Sequence, residues 1–277
     1  MVGGTVRLKV DKADVTPSKV VAEMKAVTVP GAGKPKLDSV SLTARAGEIL
    51  CLAGVEGNGQ QQAIECLTGQ IAYQGSVTVL GEEVRGKSIR KIRDLGMAHI
   101  PEDRMTVGCV STMSIMDNVM ADRFDRPENM KGIFLDQQKA IAQTDALIKE
   151  FEISCDDRSE EIRLLSGGNI QKVVVAREFT SGANFVLANQ PTRGVDVGTA
   201  EMIRKYLVRQ VREKQIASLL ISADLNEVLE VSDRLLVIRQ GKIVAAFSKA
   251  SMVSEDELGE YMLGIKTMTP DEMEGLL

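Results

Sequence analysis

The stretch that most constrains this chain is Cys51-Leu52-Ala53-Gly54-Val55-Glu56-Gly57-Asn58-Gly59-Gln60-Gln61. The apolar run from Glu48 to Ala53 reads as a buried strand. Gly54 to Gly59 then turns the chain, and Gln60 to Gly69 has helical spacing (Ala63, Ile64, Leu67) with a glycine stop. A strand that enters a glycine turn and leaves as a helix points backbone N–H groups inward at the positive end of the helix, which suits an anion.

The phosphate-loop pattern G-x-x-x-x-G-K-[ST] is met by Gly54 and Gly59 and then fails. Gln60 stands where a lysine reaches the phosphates, and Gln61 where a hydroxyl holds Mg²⁺. Glu56, Gly57, Asn58 and Gln62 complete the candidate phosphate-binding set. The same glycines also make a plain tight turn with no ligand, and this segment alone does not choose between the two.

The rest of the chain supplies context. Met1 to Lys19 is polar and reads as a linker; Val20–Val29 and Lys36–Arg45 read as strands. From Glu102 to about Ser181 three helical periods follow one another with no clear strand between them, which reads as an inserted helical subdomain. Strands and helices then alternate to Phe247, implying a largely parallel α/β sheet. Glu255–Leu263 closes with an amphipathic helix, and residues 266–277 read as a loose polar tail.

Of the 277 residues 44% are hydrophobic, enough for a sizeable core, while the net charge of -5 offers no global basic field for nucleic acid. No stretch is apolar for long enough to span a bilayer. Met1 to Thr16 alternates charged and apolar residues, unlike a secretory signal, so the expected place is the cytoplasm or the cytoplasmic face of a membrane. Cys51, Cys66, Cys109 and Cys155 form no Cys-x-x-Cys pair and read as reduced thiols, with no metal site expected.

Leu164-Leu165-Ser166-Gly167-Gly168-Asn169-Ile170-Gln171-Lys172-Val173 is a second motif, and as a bare sequence it could be an ordinary helix N-cap. Its position after the glycine loop and the helical insert gives it meaning. In that order it resembles the signature of ATP-binding-cassette (ABC) ATPases. Phe185 to Asp196 resembles the Walker B strand and D-loop, with Asp196 in the D-loop position, and Leu219 to Leu225 resembles the switch strand. Ile100-Pro101-Glu102-Asp103-Arg104 and Gln190-Pro191-Thr192-Arg193-Gly194-Val195-Asp196 narrow the resemblance. They are similar to the second cassette of tandem ATPases serving bacterial importers of simple sugars and nucleosides. Asp256 to Gly264 leans toward the nucleoside branch, and Met1-Val2-Gly3-Gly4 resembles the junction after a first cassette.

The resemblance implies a P-loop NTPase fold of ABC type, with an antiparallel β subdomain and the helical insert, over residues 20–265. It also implies that this chain's own catalytic set is degenerate. Gln60 replaces the lysine, Asn189 the metal-binding aspartate and Gln190 the glutamate that polarises water. Ala223 replaces the switch histidine and Glu102 the Q-loop glutamine. The adenine-stacking aromatic has no candidate, since no Phe, Tyr or Trp precedes Tyr73. Each lost charge-assisted contact costs about 1.5–3 kcal/mol. Two or three such losses imply a rate deficit on the order of 10²–10⁵.

Within the signature set Leu165, Ser166, Gly167, Gly168 and Asn169, the positions Ser166, Gly167 and Gly168 remain intact while Asn169 stands where Gln is often found, and in this family the signature covers the ATP of a partner cassette. The expected arrangement is therefore ATP and Mg²⁺ on the partner's site, with ATP weak at best here. The partner cassette is expected to be the N-terminal half of a longer polypeptide. Transmembrane permease subunits, contacted through Asp103 and Arg104 beside a groove from Gly108 to Val119, and indirectly a solute-binding protein, complete the expected assembly at the cytoplasmic face of the membrane. Two rivals stand beside this: a ribosome- or DNA-acting ABC protein, which the acidic balance does not support, and a non-catalytic nucleotide-binding or regulatory module.

Overall fold

The computed structural model describes residues 17–277, so nearly all of the Met1–Lys19 linker lies outside the described residues. Strands β1 (Val20–Val29) and β2 (Leu37–Arg45) pair antiparallel, and Glu48 turns the chain into β3 (Ile49–Ala53), every residue of which is buried. The glycine loop leads to α1 (Gln60–Leu67). The chain then returns through β4 (Gln74–Val79) and β5 (Glu82–Glu83), which join the first sheet in the order β2-β1-β4-β5. Helix α2 (Ile89–Asp94) precedes β6 (Met97–Ile100).

The helical part follows. It holds α3 (Ile115–Met120), β7 (Met130–Lys131) paired with β8 (Phe134–Leu135), α4 (Gln137–Glu150) and α5 (Gly167–Phe179). The hairpin corrects the purely helical reading of this stretch; two-residue strands show no alternation for sequence periodicity to detect.

The chain then runs through β9 (Phe185–Asn189), α6 (Val197–Lys214), β10 (Ala217–Ile221), α7 (Leu225–Val231), β11 (Arg234–Arg239) and β12 (Lys242–Phe247). The second sheet has the order β12-β11-β3-β10-β9-β6, parallel except for the β12 edge. Strand β3 is therefore central, and the glycine loop leaves its carboxyl end, where open α/β sheets bind ligands.

The strands of this sheet are β-branched and leucine-rich because both faces are covered. One face packs against the first sheet through Leu50, Leu52, Leu187, Leu219 and Leu236. The other packs against the helices through Ile49, Cys51, Val186 and Leu220. Helix α8 (Glu255–Leu263) closes against β11.

The loose-tail expectation is overturned. The Met268 N–H donates to the Val244 carbonyl at 2.9 Å, and α9 (Pro270–Met273) is held by a capping box of Thr269 and Glu272. Met273 is buried, and Arg234 and Thr43 bind the Leu276 and Leu277 carbonyls. Met268, Met273, Leu276 and Leu277 give the tail enough apolar surface to pack, although its composition is polar. Among the described residues no helix is long and apolar enough to cross a membrane.

Candidate nucleotide site and signature face

The loop from Gly54 to Gly59 is tight for physical reasons. A Cβ on Gly54 would lie 2.5 Å from the Ile238 carbonyl oxygen and 2.7 Å from Gln60 Nε2, and Gly59 has φ +119. Both positions need glycine. Asn58 pins the loop to the β11–β12 turn: its Oδ1 accepts from the Gln240 N–H at 2.8 Å, and its carbonyl accepts from the Gly241 N–H at 2.8 Å. Gln60 is only 8% exposed. Its side chain folds back into the loop, where Oε1 accepts from the Asn58 N–H at 3.1 Å and Nε2 donates to the Val55 carbonyl at 3.1 Å. Asn58 Nδ2 reaches the same carbonyl at 2.8 Å. Gln61 points outward and bonds Glu65.

Facing the loop across a cleft of about 350 Å³ are Glu102, Asn189 and Gln190. The cleft thus gathers Gly54, Glu56, Gly57, Gln60, Gln61 and the three positions opposite; Gln62 sits on α1 outside its lining, and Asn58 serves as the loop's anchor. Asn189, at the end of β9, is buried. Gln190 is in the left-handed region (φ +51), its N–H donates to the Ile221 carbonyl at 2.8 Å, and its Oε1 accepts from the Ala223 N–H at 3.2 Å. The glutamate and switch positions are therefore tied to each other by an amide. Glu102 forms an ion pair with Arg193. Among the described residues no lysine or arginine lines the cleft, and Arg193 reaches it only through Glu102. Toward a Mg²⁺–triphosphate this donor set offers the neutral amides of Asn189 and Gln61, the carboxylate of Glu56, and a Glu102 carboxylate already paired with Arg193.

The signature lies elsewhere on the surface. Ser166 caps α5, its Oγ accepting from the Asn169 N–H and, at 3.0 Å, from Asn169 Nδ2. Asn169 Oδ1 in turn accepts from the Ser154 N–H at 2.9 Å, and Leu165 is buried beneath. Gly168 faces Asp196, whose Oδ2 would lie 3.0 Å from a Cβ there. Asp196 caps α6, and its bonds from the Thr199 N–H and hydroxyl hold the carboxyl below the usual carboxylate range. Signature and D-loop therefore form one continuous face, with an exposed serine hydroxyl and a helix N-terminus at its centre.

Asp103 and Arg104 are both engaged by the chain itself. Asp103 caps the turn that follows it, accepting from the Met105 and Thr106 N–H groups. Arg104 turns toward the signature face. Its Nη1 donates to the Arg193 carbonyl at 2.8 Å and its Nη2 to the Gly194 carbonyl at 3.1 Å. Its guanidinium lies on Gly167, where a Cβ would sit 2.9 Å from Nη2. Residues 108–119 turn Ile115 and Val119 into the core, and Asn118 is buried. The cleft beside Asp103 and Arg104, about 540 Å³, adjoins the loop cleft through Gln61, Glu102 and Asn189 and is also walled by His99, Arg193 and Gly194.

Two functional contacts escape the sequence reading. Buried Gln171, on α5, donates to the Pro191 carbonyl at 2.7 Å and so ties the signature helix to the D-loop segment. Arg193 neutralises Glu102. Both residues stand inside the quoted motifs, but each partner is about 20 residues away or more, and spacing within a motif does not show it.

The sheet, the helical insert and the sequence of loop, signature and D-loop define an ATP-binding cassette. The chain belongs to the ABC transporter family, whose profile matches residues 37–193. It is 36% identical over 266 residues to the nucleoside import ATP-binding protein NupA of Lactococcus lactis subsp. cremoris, covering 95% of this chain and 52% of that protein. Similar identity, 36% over 267 residues, links it to the guanosine import ATP-binding protein NupO of Bacillus subtilis, with 95% and 52% coverage. The glucose import ATP-binding protein TsgD13 of Haloferax volcanii is 36% identical over 248 residues, or 88% of this chain and 45% of that one. The chain thus spans about half the length of the curated relatives it matches. Among solved structures, a nucleotide-free cassette from an ABC transporter has a TM-score of 0.71 at 20% identity, covering 92% of this chain and 98% of that one. A dimeric post-hydrolysis cassette bound to ADP and Pi has a TM-score of 0.72 at 19% identity, covering 83% and 98%. These likenesses establish the shared fold.

Proposed function

We propose that this chain is the non-hydrolysing cassette of an importer for nucleosides or simple sugars, and that it lends its signature to a partner cassette. The observation that carries the reading is a contrast within one molecule. Among the described residues no basic side chain lines the cleft at the glycine loop, and amides stand at the lysine, aspartate and glutamate positions. The signature keeps its serine and both glycines at the N-terminus of α5, with Ser166 exposed. ATP and Mg²⁺ then belong to the partner's loop, with Ser166, Gly167 and Gly168 closing over the γ-phosphate through hydroxyl and N–H groups.

The partner cassette is the other half of a tandem polypeptide, in keeping with relatives twice this chain's length. Permease subunits bind at the segment after β6, where Val107, Val110 and Met113 are exposed, and a solute-binding protein acts through them. The pair works at the cytoplasmic face of the membrane. Nucleoside import relatives favour a nucleoside as cargo.

ATP turnover tests this. The chain is assayed alone, and then mixed with the cassette it pairs with, in wild-type form and as Ser166→Arg. The expected result is silence alone and turnover in the mixture that Ser166→Arg abolishes, because a long cation fills the space of the phosphate. Robust turnover by the chain alone sinks the reading.

A further inference from the structure

Replacing a phosphate-loop lysine with a neutral residue removes a charge, but Gln60 does more than that. A lysine ammonium only donates hydrogen bonds, so it leaves the loop's N–H groups free for an anion; a carboxamide both donates and accepts. Both abilities of Gln60 are spent inside the loop, on the Val55 carbonyl and the Asn58 N–H. Asn58 Nδ2 gives the Val55 carbonyl a second donor. The amide sits where Gly54 leaves room for it, within 2.7 Å of the position a Cβ would take, and it is nearly buried.

We propose that Gln60 is a specificity-determining residue that closes this loop to phosphate: its carboxamide takes the Asn58 N–H, a loop donor that a nucleotide phosphate would otherwise use. Nucleotide enters the loop only after the side chain swings out, breaking both bonds; among the described residues no lysine or arginine lines this cleft to compensate, and Arg193 is held by Glu102. The loop is closed by its own side chain as well as weakened by the missing lysine. This inference rests on the reading of the site as non-hydrolysing and makes a separate claim about binding.

The two explanations predict opposite results for one variant. If a missing lysine were the whole cause, Gln60→Ala would bind ATP no better than the wild type. If Gln60 closes the loop, Gln60→Ala frees the Asn58 N–H, and ATP binding tightens by about tenfold, the worth of one to two hydrogen bonds. The measurement is an ATP titration of the full chain, read by the ¹⁵N–¹H signal of Asn58 so that binding at the signature is not counted. Equal or weaker binding by Gln60→Ala overturns the proposal. Gln60→Ser, which is too short to reach the Val55 carbonyl, gives the same reading if the alanine variant does not fold. The wild type is decisive by itself as well. Micromolar ATP binding at Asn58 without turnover overturns the closed loop and leaves the proposed function standing, whereas turnover by the chain alone defeats the proposed function.

Discussion

His99 is the chain's one histidine, and burial pushes its imidazole down to about 4. Its Nε2 has no hydrogen-bond partner among the described residues. The unfolded chain binds a proton near pH 6.5 that the native state refuses until about pH 4. The stability due to the neutral imidazole is therefore complete above pH 6.5 and is lost as the pH falls toward 4, at up to about 1.4 kcal/mol per unit. Urea unfolding at pH 7, 6 and 5 measures it. His99→Gln flattens the part of the slope between pH 6.5 and 5, and an unchanged slope would show that other groups carry it. The titration of His99 was not legible in sequence, because its surroundings come from far along the chain, from α5, where Glu178 binds the His99 backbone N–H. Glycine-loop and signature residues were legible because each motif's parts are consecutive and their backbone geometry is local. The hydrogen bonds of Arg104 were not legible, because their partners lie 89 and 90 residues on.

Among the elements, α5 joins most of the site. Its first turn presents the signature. Gln171, in its second turn, holds Pro191, and Arg177 and Glu178 near its end anchor it to α2 and α3 through Arg93 and the Gly108 and Asn118 carbonyls. Arg104 completes the arrangement by bridging the signature's first glycine and the D-loop carbonyls. Arg104→Met removes two hydrogen bonds from the 193–194 backbone while keeping the bulk of the side chain. Hydrogen exchange at the amides of 192–196 then rises about 5- to 30-fold, the equivalent of about 1–2 kcal/mol. Exchange at wild-type rates would show that Gln171 alone fixes this segment. The long helices and the parallel strands were readable from periodicity, since burial on one or both faces imposes it. The β7–β8 hairpin and α9 were not, because elements of two to four residues are set by tertiary contacts.

At the scale of the whole molecule, one buried ion pair joins the two sheets. Glu48 and Arg234 are 1% and 5% exposed and 2.9 Å apart. Desolvation raises the Glu48 carboxyl and lowers the Arg234 guanidinium. The same guanidinium holds the Thr43 carbonyl of β2 and the Leu276 carbonyl of the tail. Arg234→Leu leaves Glu48 buried and unpaired and costs about 3–5 kcal/mol in urea unfolding. Glu48→Gln on that background recovers part of the loss, and no recovery would mean that the carbonyl contacts dominate.

The closed loop proposed for Gln60 has a mechanical consequence for the proposed pair of cassettes. Were only the partner's cleft drawn shut by a charged ligand, the side of Gln60, whose carboxamide is already bonded within its loop, would act as the pivot and the partner's side as the jaw. Each stroke would then be a swing about an off-centre axis, driven by a single phosphate cleavage.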